Sequence, residues 1–304
     1  MNGVLVLDKP RDLTSARAVA RVKRRLKVKK AGHAGTLDPM ATGVLPVLLG
    51  EGTKLARFFL EGDKGYRFTI RLGAATDTGD AEGAIISEAD PAAVTAGDLE
   101  DVLSGLRGPI EQVPPMYSAI KQDGVRLYRL ARQGREVPRE PRAITVHRLV
   151  LMSFESPEAV LELDCTKGTY IREIAAEIGR RLGCGAHISE LRRTCSGPFG
   201  EDRTVDLETL SLNSAAILSL VEATAHLSTI RVDVELARRI RAGHQPAGVE
   251  VRDGLTSAIE QGADVRLLGP GEQLVAVAEA LVDLDPGAFA NKRQALRLIR
   301  IFIP

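Results

Sequence analysis

The twelve residues from Gly32 to Gly43, Gly-His-Ala-Gly-Thr-Leu-Asp-Pro-Met-Ala-Thr-Gly, constrain the chain more than any other stretch. Three glycines and a proline surround only two ionisable side chains, His33 and Asp38. Glycine reaches backbone angles closed to other residues and proline fixes its own, so the stretch reads as a shaped loop that presents a histidine and an aspartate. Taken alone, an Asp-Pro in such a loop is equally a tight turn in which the carboxylate caps backbone amides.

Charge is distributed unevenly around this loop. The net charge is only +1, yet residues 1–30 hold ten lysines and arginines against Asp8 and Asp12. Thr14 or Ser15 is placed to cap a helix whose apolar positions Val19, Val22 and Leu26 recur at helical spacing. Arg21, Lys23, Arg24 and Arg25 then project from its other faces. A charge run is commonly just a solvated helix face. Leading directly into the His33/Asp38 loop, this one is expected to form a phosphate-binding rim whose affinity for RNA falls as salt rises.

Hydrophobic periodicity indicates an α+β fold. Tyr66, Phe68, Ile70 and Leu72 alternate with Arg67, Thr69 and Arg71 as in a half-buried strand. Residues 73–83 form a turn rich in glycine and aspartate, 98–106 a short helix, and 142–165 two strands broken near Ser156-Pro157. Along 170–182, Ile171, Ile174, Ala175, Ile178 and Leu182 share a helical face, with Arg172 on its flank and Glu173 nearly opposite. A helix-like stretch is expected from Thr204 to about His226. Residues 229–304 are β-rich pieces separated by glycines, the texture of a small barrel-like domain. The hydrophobic fraction of 44% suits a two-domain globular chain. Cys165, Cys184 and Cys195, an odd number at uneven spacing, fit neither a disulfide framework nor a zinc site and are expected to be reduced thiols. With no leader-like start and no apolar run of membrane-spanning length, a cytoplasmic protein is expected.

The loop sequence Gly32-His33-Ala34-Gly35-Thr36-Leu37-Asp38-Pro39, continuing through Ala41 to Val47, resembles the catalytic loop of the TruB family of tRNA pseudouridine synthases. Four further blocks match in the same order. They are Leu7-Asp8-Lys9-Pro10, Pro114 to Lys121, Lys167 to Arg172, and Leu191-Arg192-Arg193-Thr194 followed by Ser196 to Phe199. Departures are small: Asp12 stands where many members carry glycine, and Ala16 where a larger residue is common.

The resemblance implies a pseudouridine synthase core (1–228) built on a mixed, largely antiparallel sheet flanked by helices. A PUA-like RNA-binding domain (229–304) would follow it. It implies isomerisation of a uridine in tRNA, with uridine 55 in the T arm as target and with no cofactor or metal. Asp38 would be the catalytic carboxylate, and three roles are open to it: attack on the sugar, attack on the base, or help in removing a ribose proton. Tyr66 would lie against the uracil near the ribose, and Arg172 would pair with the carboxylate. His33 would insert into the T loop while the target nucleotide is flipped out, and Tyr170 and Leu191 would line the base pocket. Lys9 and Lys54 would be phosphate or structural partners.

The match of Tyr117 to Lys121 and of Tyr128 to Arg132 points to the stand-alone bacterial type, without an obligatory protein partner. The rivals are a guide-RNA-dependent or other-substrate synthase and an RNA-binding folding helper that remodels tRNA.

Overall fold

The structure, a computed structural model, describes residues 1–303 apart from 119, 123, 132, 212–215 and 287–292. Ala119 and Arg132, both within the matching blocks, therefore lie outside the described residues.

An eleven-stranded sheet forms the first unit. Its strands are β1 (Gly3–Lys9), β2 (Ala31–His33), β3 (Thr42–Leu49), β4 (Lys64–Leu72), β5 (Gly108–Gln112), β6 (Arg142–Glu155), β7 (Glu158–Cys165), β8 (Ala186–Ser196), β9 (Phe199–Gly200), β10 (Val205–Asp206) and β11 (Ile217–Leu218). The main path runs β10-β1-β3-β8-β4-β7-β6-β5, with β2 on β3, β9 on β8 and β11 on β1. Only the β1–β10 and β3–β8 pairings are parallel, so the sheet is mixed and largely antiparallel.

The strands differ in kind because their positions differ. In β1, Val4 to Leu7 are all fully buried, the continuous apolar run of a strand covered on both faces. In β4, Tyr66, Phe68, Ile70 and Leu72 are buried while Arg67 and Arg71 are exposed, so only one face is covered. That covered face carries the main core, which helices α1 (Ser15–Arg25), α2 (Ala96–Ser104) and α3 (Ile171–Leu182) close with Val22, Leu99, Leu103, Ile174 and Ile178.

The cap of α1 is Thr14, whose hydroxyl accepts from the Arg17 amide. Asp12 stands in the left-handed region at φ 61, a conformation glycine adopts without steric cost. This accounts for the glycine that many TruB members carry there.

The long helix expected over Thr204 to His226 does not form. The described part holds a short 3-10 turn, β10, β11 and a single helical turn, Leu220–Ala223. The free edge of β1 takes up the chain instead: Leu7 pairs with Val205 and Leu5 with Ile217. Backbone partners for a buried strand outweigh local helix propensity.

A second, four-stranded sheet runs in the order β12 (Ser228–Arg231), β13 (Asp264–Leu268), β14 (Leu274–Ala280), β15 (Leu296–Ile301), flanked by α4 (Val234–Arg241). It has its own core, including Ile240, Val265, Val275 and Leu296. An apolar seam of Val6, Phe59 and Phe199 with Leu268, Val277 and Phe302 joins it to the first sheet. Among the described residues no helix is long and apolar enough to cross a membrane, and Cys165, Cys184 and Cys195 are free.

Candidate active site

The Gly32–Gly43 loop leaves β2 and returns through β3, and its backbone is tied from four directions. The Ser15 hydroxyl, at the start of α1, accepts from the Leu37 amide (2.8 Å) and donates to the Leu37 carbonyl (3.1 Å). The Asp12 amide donates to the Pro39 carbonyl (2.9 Å). Lys9 is fully buried and gives its ammonium to the carbonyls of Pro10, Leu13 and Pro39.

From the sheet side comes Arg193 of β8, 1% exposed, which donates to the carbonyls of Val44 (2.8 Å), Thr36 (3.4 Å) and Gly35 (3.2 Å). Two glycines make room for it. Gly35 (φ 101) and Gly43 (φ 98) have backbone angles that side chains rarely adopt, and a Cβ on Gly43 would run into the Arg193 backbone. The loop is thus ordered before any substrate arrives, with Asp38 about one-third exposed at its tip.

Opposite Asp38 stands Arg172, in the first turn of α3 and 4% exposed. Its Nε lies 3.0 Å from Asp38 Oδ2, Nη1 donates to the Thr78 carbonyl (2.9 Å) and Nη2 to the Tyr117 carbonyl (2.8 Å). A second carboxylate, Asp80, lies 3.8 Å from the same Nε. Asp80 is itself fixed by the Thr78 hydroxyl (2.6 Å) and the Glu82 amide (3.1 Å). One buried guanidinium therefore joins the loop aspartate, a turn aspartate and two carbonyls, and its planar fork holds the first carboxylate in one orientation.

The other expected site residues gather with different closeness. Tyr66 and Tyr170 both sense the charge of Asp38. Burial pushes each phenol above its ordinary pKa, which keeps it a neutral hydrogen-bond donor. The Tyr66 hydroxyl faces the Arg193 guanidinium. Burial, then the neighbouring Arg193, lowers the His33 pKa, so its ring is neutral at pH 7. Leu191, 7% exposed, bounds with Met40, Thr42 and Phe68 a hollow of about 330 Å³ beside the loop, whose polar wall includes Arg11, Arg67 and Arg192.

Two expectations are corrected. Burial lowers the Lys9 pKa to about 8, and its donors are spent on loop carbonyls, so Lys9 is a structural pin out of reach of a phosphate. Lys54 is engaged within the protein as well. It donates to the Ile301 carbonyl (2.8 Å), pairs with Glu51 and lies over the Phe302 ring, joining the two sheets.

Sequence reasoning missed Ser15, Asp80, Gln112 and Arg193 as parts of the site. Asp80 was legible only as one aspartate of a turn, and Arg193 only as part of a matching block. Gln112 ends β5 and holds Tyr170 by both backbone groups, accepting from its amide (2.8 Å) and donating to its carbonyl (3.0 Å). Tyr170 is the N-cap of α3 and has no side-chain cap of its own. Gln112→Ala should therefore lower stability by about 1–3 kcal/mol for two lost hydrogen bonds. Chemical denaturation reads this, and an unchanged midpoint would show that the pairing holds nothing in place.

A family model described as TruB family pseudouridylate synthase (N terminal domain) matches residues 23–171. A second, tRNA pseudouridylate synthase B C-terminal domain, matches 172–227. The tRNA pseudouridine synthase B of Geobacter sulfurreducens is 46% identical over 99% of this chain and 100% of its own. That of Pseudomonas aeruginosa is 53% identical over 69% of each. Among solved structures, a Cbf5-Nop10-Gar1 complex holds a chain with TM-score 0.79 at 28% identity, covering 99% of this chain and 85% of that one. With identity of this extent along the whole chain, and with matching aspartate-loop and arginine blocks that meet in one site, the chain belongs to the TruB family of pseudouridine synthases.

Proposed function

We propose that this enzyme isomerises uridine 55 in the T arm of tRNA to pseudouridine, with Asp38 as the nucleophile. The observation that carries the reading is the buried Arg172 fork holding an otherwise accessible Asp38 carboxylate at 3.0 Å. The names of the tRNA pseudouridine synthase B relatives, which span the whole chain, point to tRNA as the substrate.

The reaction breaks the bond from ribose C1′ to uracil N1 and forms one from C1′ to C5. The proton on C5 leaves and N1 gains one, so nothing is oxidised or reduced and no cofactor is needed. A carboxylate held ionised by a guanidinium suits such a step, because it adds to an electron-poor carbon and is later displaced. Tyr66 and Tyr170, both neutral, would lie against the base and ribose. Leu191 would wall the base from water that would otherwise capture the detached sugar.

Reaching a stacked nucleotide requires flipping it from the T loop, at a cost of about a few kcal/mol. The neutral His33 ring is suited to fill the vacated space by stacking. Residues 1–228 would form the catalytic domain and 229–304 a PUA-like RNA-binding domain.

A second reading draws on the structural neighbours, which come from a Cbf5-Nop10-Gar1 complex and from an H/ACA RNP bound to a substrate RNA. On that model the chain would need partner proteins. One experiment separates the two: incubate the purified protein alone with an unmodified tRNA transcript and map pseudouridine by position. Product at 55 without other components is expected. Product at another position would overturn the assigned target, and none without added partners would favour the second reading.

A further inference from the structure

The basic side chains of the two units are used differently. Around the second sheet, Arg231, Arg238, Arg239, Arg252 and Arg297 each face a carboxylate, of Glu272, Glu235, Glu250, Asp253 and Glu279 respectively. On and just after α1 the pattern reverses. Among the described residues Arg17, Arg21, Lys23, Arg24 and Lys27 are exposed and have no carboxylate within ion-pair distance. Unpaired cationic charge is thus gathered on one helix.

That helix carries two different flanks. At 100° per residue, Arg21, Arg24 and Arg25 fall on one side of the buried stripe of Ala18, Val19 and Val22, while Lys23 falls on the other. On the arginine side the chain after β10 approaches and encloses a hollow of about 430 Å³, lined by Arg21, Arg24, Arg25, Leu207 and Glu208. Arg25 serves as its hinge post. It donates to the Glu208 carboxylate (2.8 Å) and to the carbonyls of Glu208 (2.6 Å) and Leu210 (3.3 Å). Arg21 and Arg24 are left free to reach a ligand.

Basic residues in a last helical turn also complement the helix dipole. That accounts for charge at Arg24 and Arg25. It does not account for Arg21 one turn earlier, nor for the hollow.

We infer that this hollow binds a backbone phosphate of the substrate RNA through Arg21 and Arg24, a contact separate from the Asp38 centre. The inference rests on the reading of RNA as substrate. Arg24 lies nine residues along α1 from Ser15, the residue bonded to the Asp38 loop, or about 13 Å at 1.5 Å per residue. A duplex leaving the active site along α1 would present a phosphate at this distance, whether from the T stem or from another arm packed on it. Fixed guanidinium pairs suit phosphate oxygens and release condensed counterions.

The test measures equilibrium affinity against salt concentration, with full-length protein and two probes, an unmodified tRNA transcript and an isolated T-arm hairpin. Arg21→Gln/Arg24→Gln is compared with wild type and with Lys23→Gln/Lys27→Gln. Circular dichroism of each variant confirms the fold. On tRNA the arginine pair should flatten the log-log salt slope by about 1.4–1.8, at 0.7–0.9 per phosphate contact, and the lysine pair should leave it close to wild type. A loss seen equally with the hairpin assigns the phosphate to the T stem, and a loss confined to tRNA assigns it to another arm. Wild-type slope in the arginine variant, or the loss appearing in the lysine variant instead, overturns the inference. Failure of wild type to form pseudouridine would sink the underlying reading, whereas unchanged slopes with full turnover would sink this one alone.

Discussion

Asp38→Asn should reduce pseudouridine formation to less than about a hundredth of the wild-type rate while leaving tRNA affinity within a few-fold. The amide has nearly the shape of the carboxylate, and the loop around it is held by Ser15, Asp12, Lys9 and Arg193 through backbone groups that the substitution does not touch. The fold and the RNA-binding surface are therefore kept. What is lost is the anion that faces Arg172 and attacks the substrate, and each factor of ten in rate is about 1.4 kcal/mol of transition-state stabilisation. Single-turnover assays with position-resolved detection read the rate, and equilibrium binding reads the affinity. Turnover above a hundredth of wild type would remove Asp38 as nucleophile. The variant also isolates the folding-helper reading: tRNA remodelling that survives without product would belong to binding, not to chemistry.

Arg172→Lys keeps a positive charge at the same backbone position and should still lower the single-turnover rate by about a hundredfold. In the wild type, Nε serves Asp38 while Nη1 and Nη2 serve the carbonyls of Thr78 and Tyr117, three partners held by one rigid plane. A lysine ammonium is a compact point charge and reproduces that fork for at most part of the set. The Asp38 carboxylate would shift, and misplacement of a reacting group by about 1 Å costs roughly a hundredfold. At least one carbonyl would lose its donor in a buried site, so stability should fall by about 1–3 kcal/mol. The diagnostic result is the split: rate down strongly, tRNA affinity nearly unchanged. An unchanged rate would show that the ion pair only braces the fold.

Much of the fold was legible from periodicity. The Tyr66–Leu72 alternation became a strand with one covered face, and the Ile171–Leu182 stripe became a helix with its apolar face inward. Both signals come from one surface that must be buried, so they survive any tertiary arrangement that supplies a core. The Thr204–His226 stretch failed for the complementary reason. Its conformation is set by the unpaired edge of β1, two hundred residues earlier in the chain, and no local window contains that demand.

The amino-acid sequence alone determined the shaped loop, the presence of Asp38 at its tip, the basic helix before it and the arginine on the flank of a later helix. Glycine and proline constraints and side-chain periodicity act over a few residues and are readable there. Only the tertiary structure decided what those groups face. It turned Lys9 inward as a pin and used Lys54 to join the two sheets. It threaded Arg193 beneath the loop, and set Asp80 against the guanidinium that Asp38 also uses. Each of these depends on residues far apart in sequence meeting at about 3–4 Å, where a buried donor must find an acceptor. That requirement is imposed by packing, after the chain has folded back on itself.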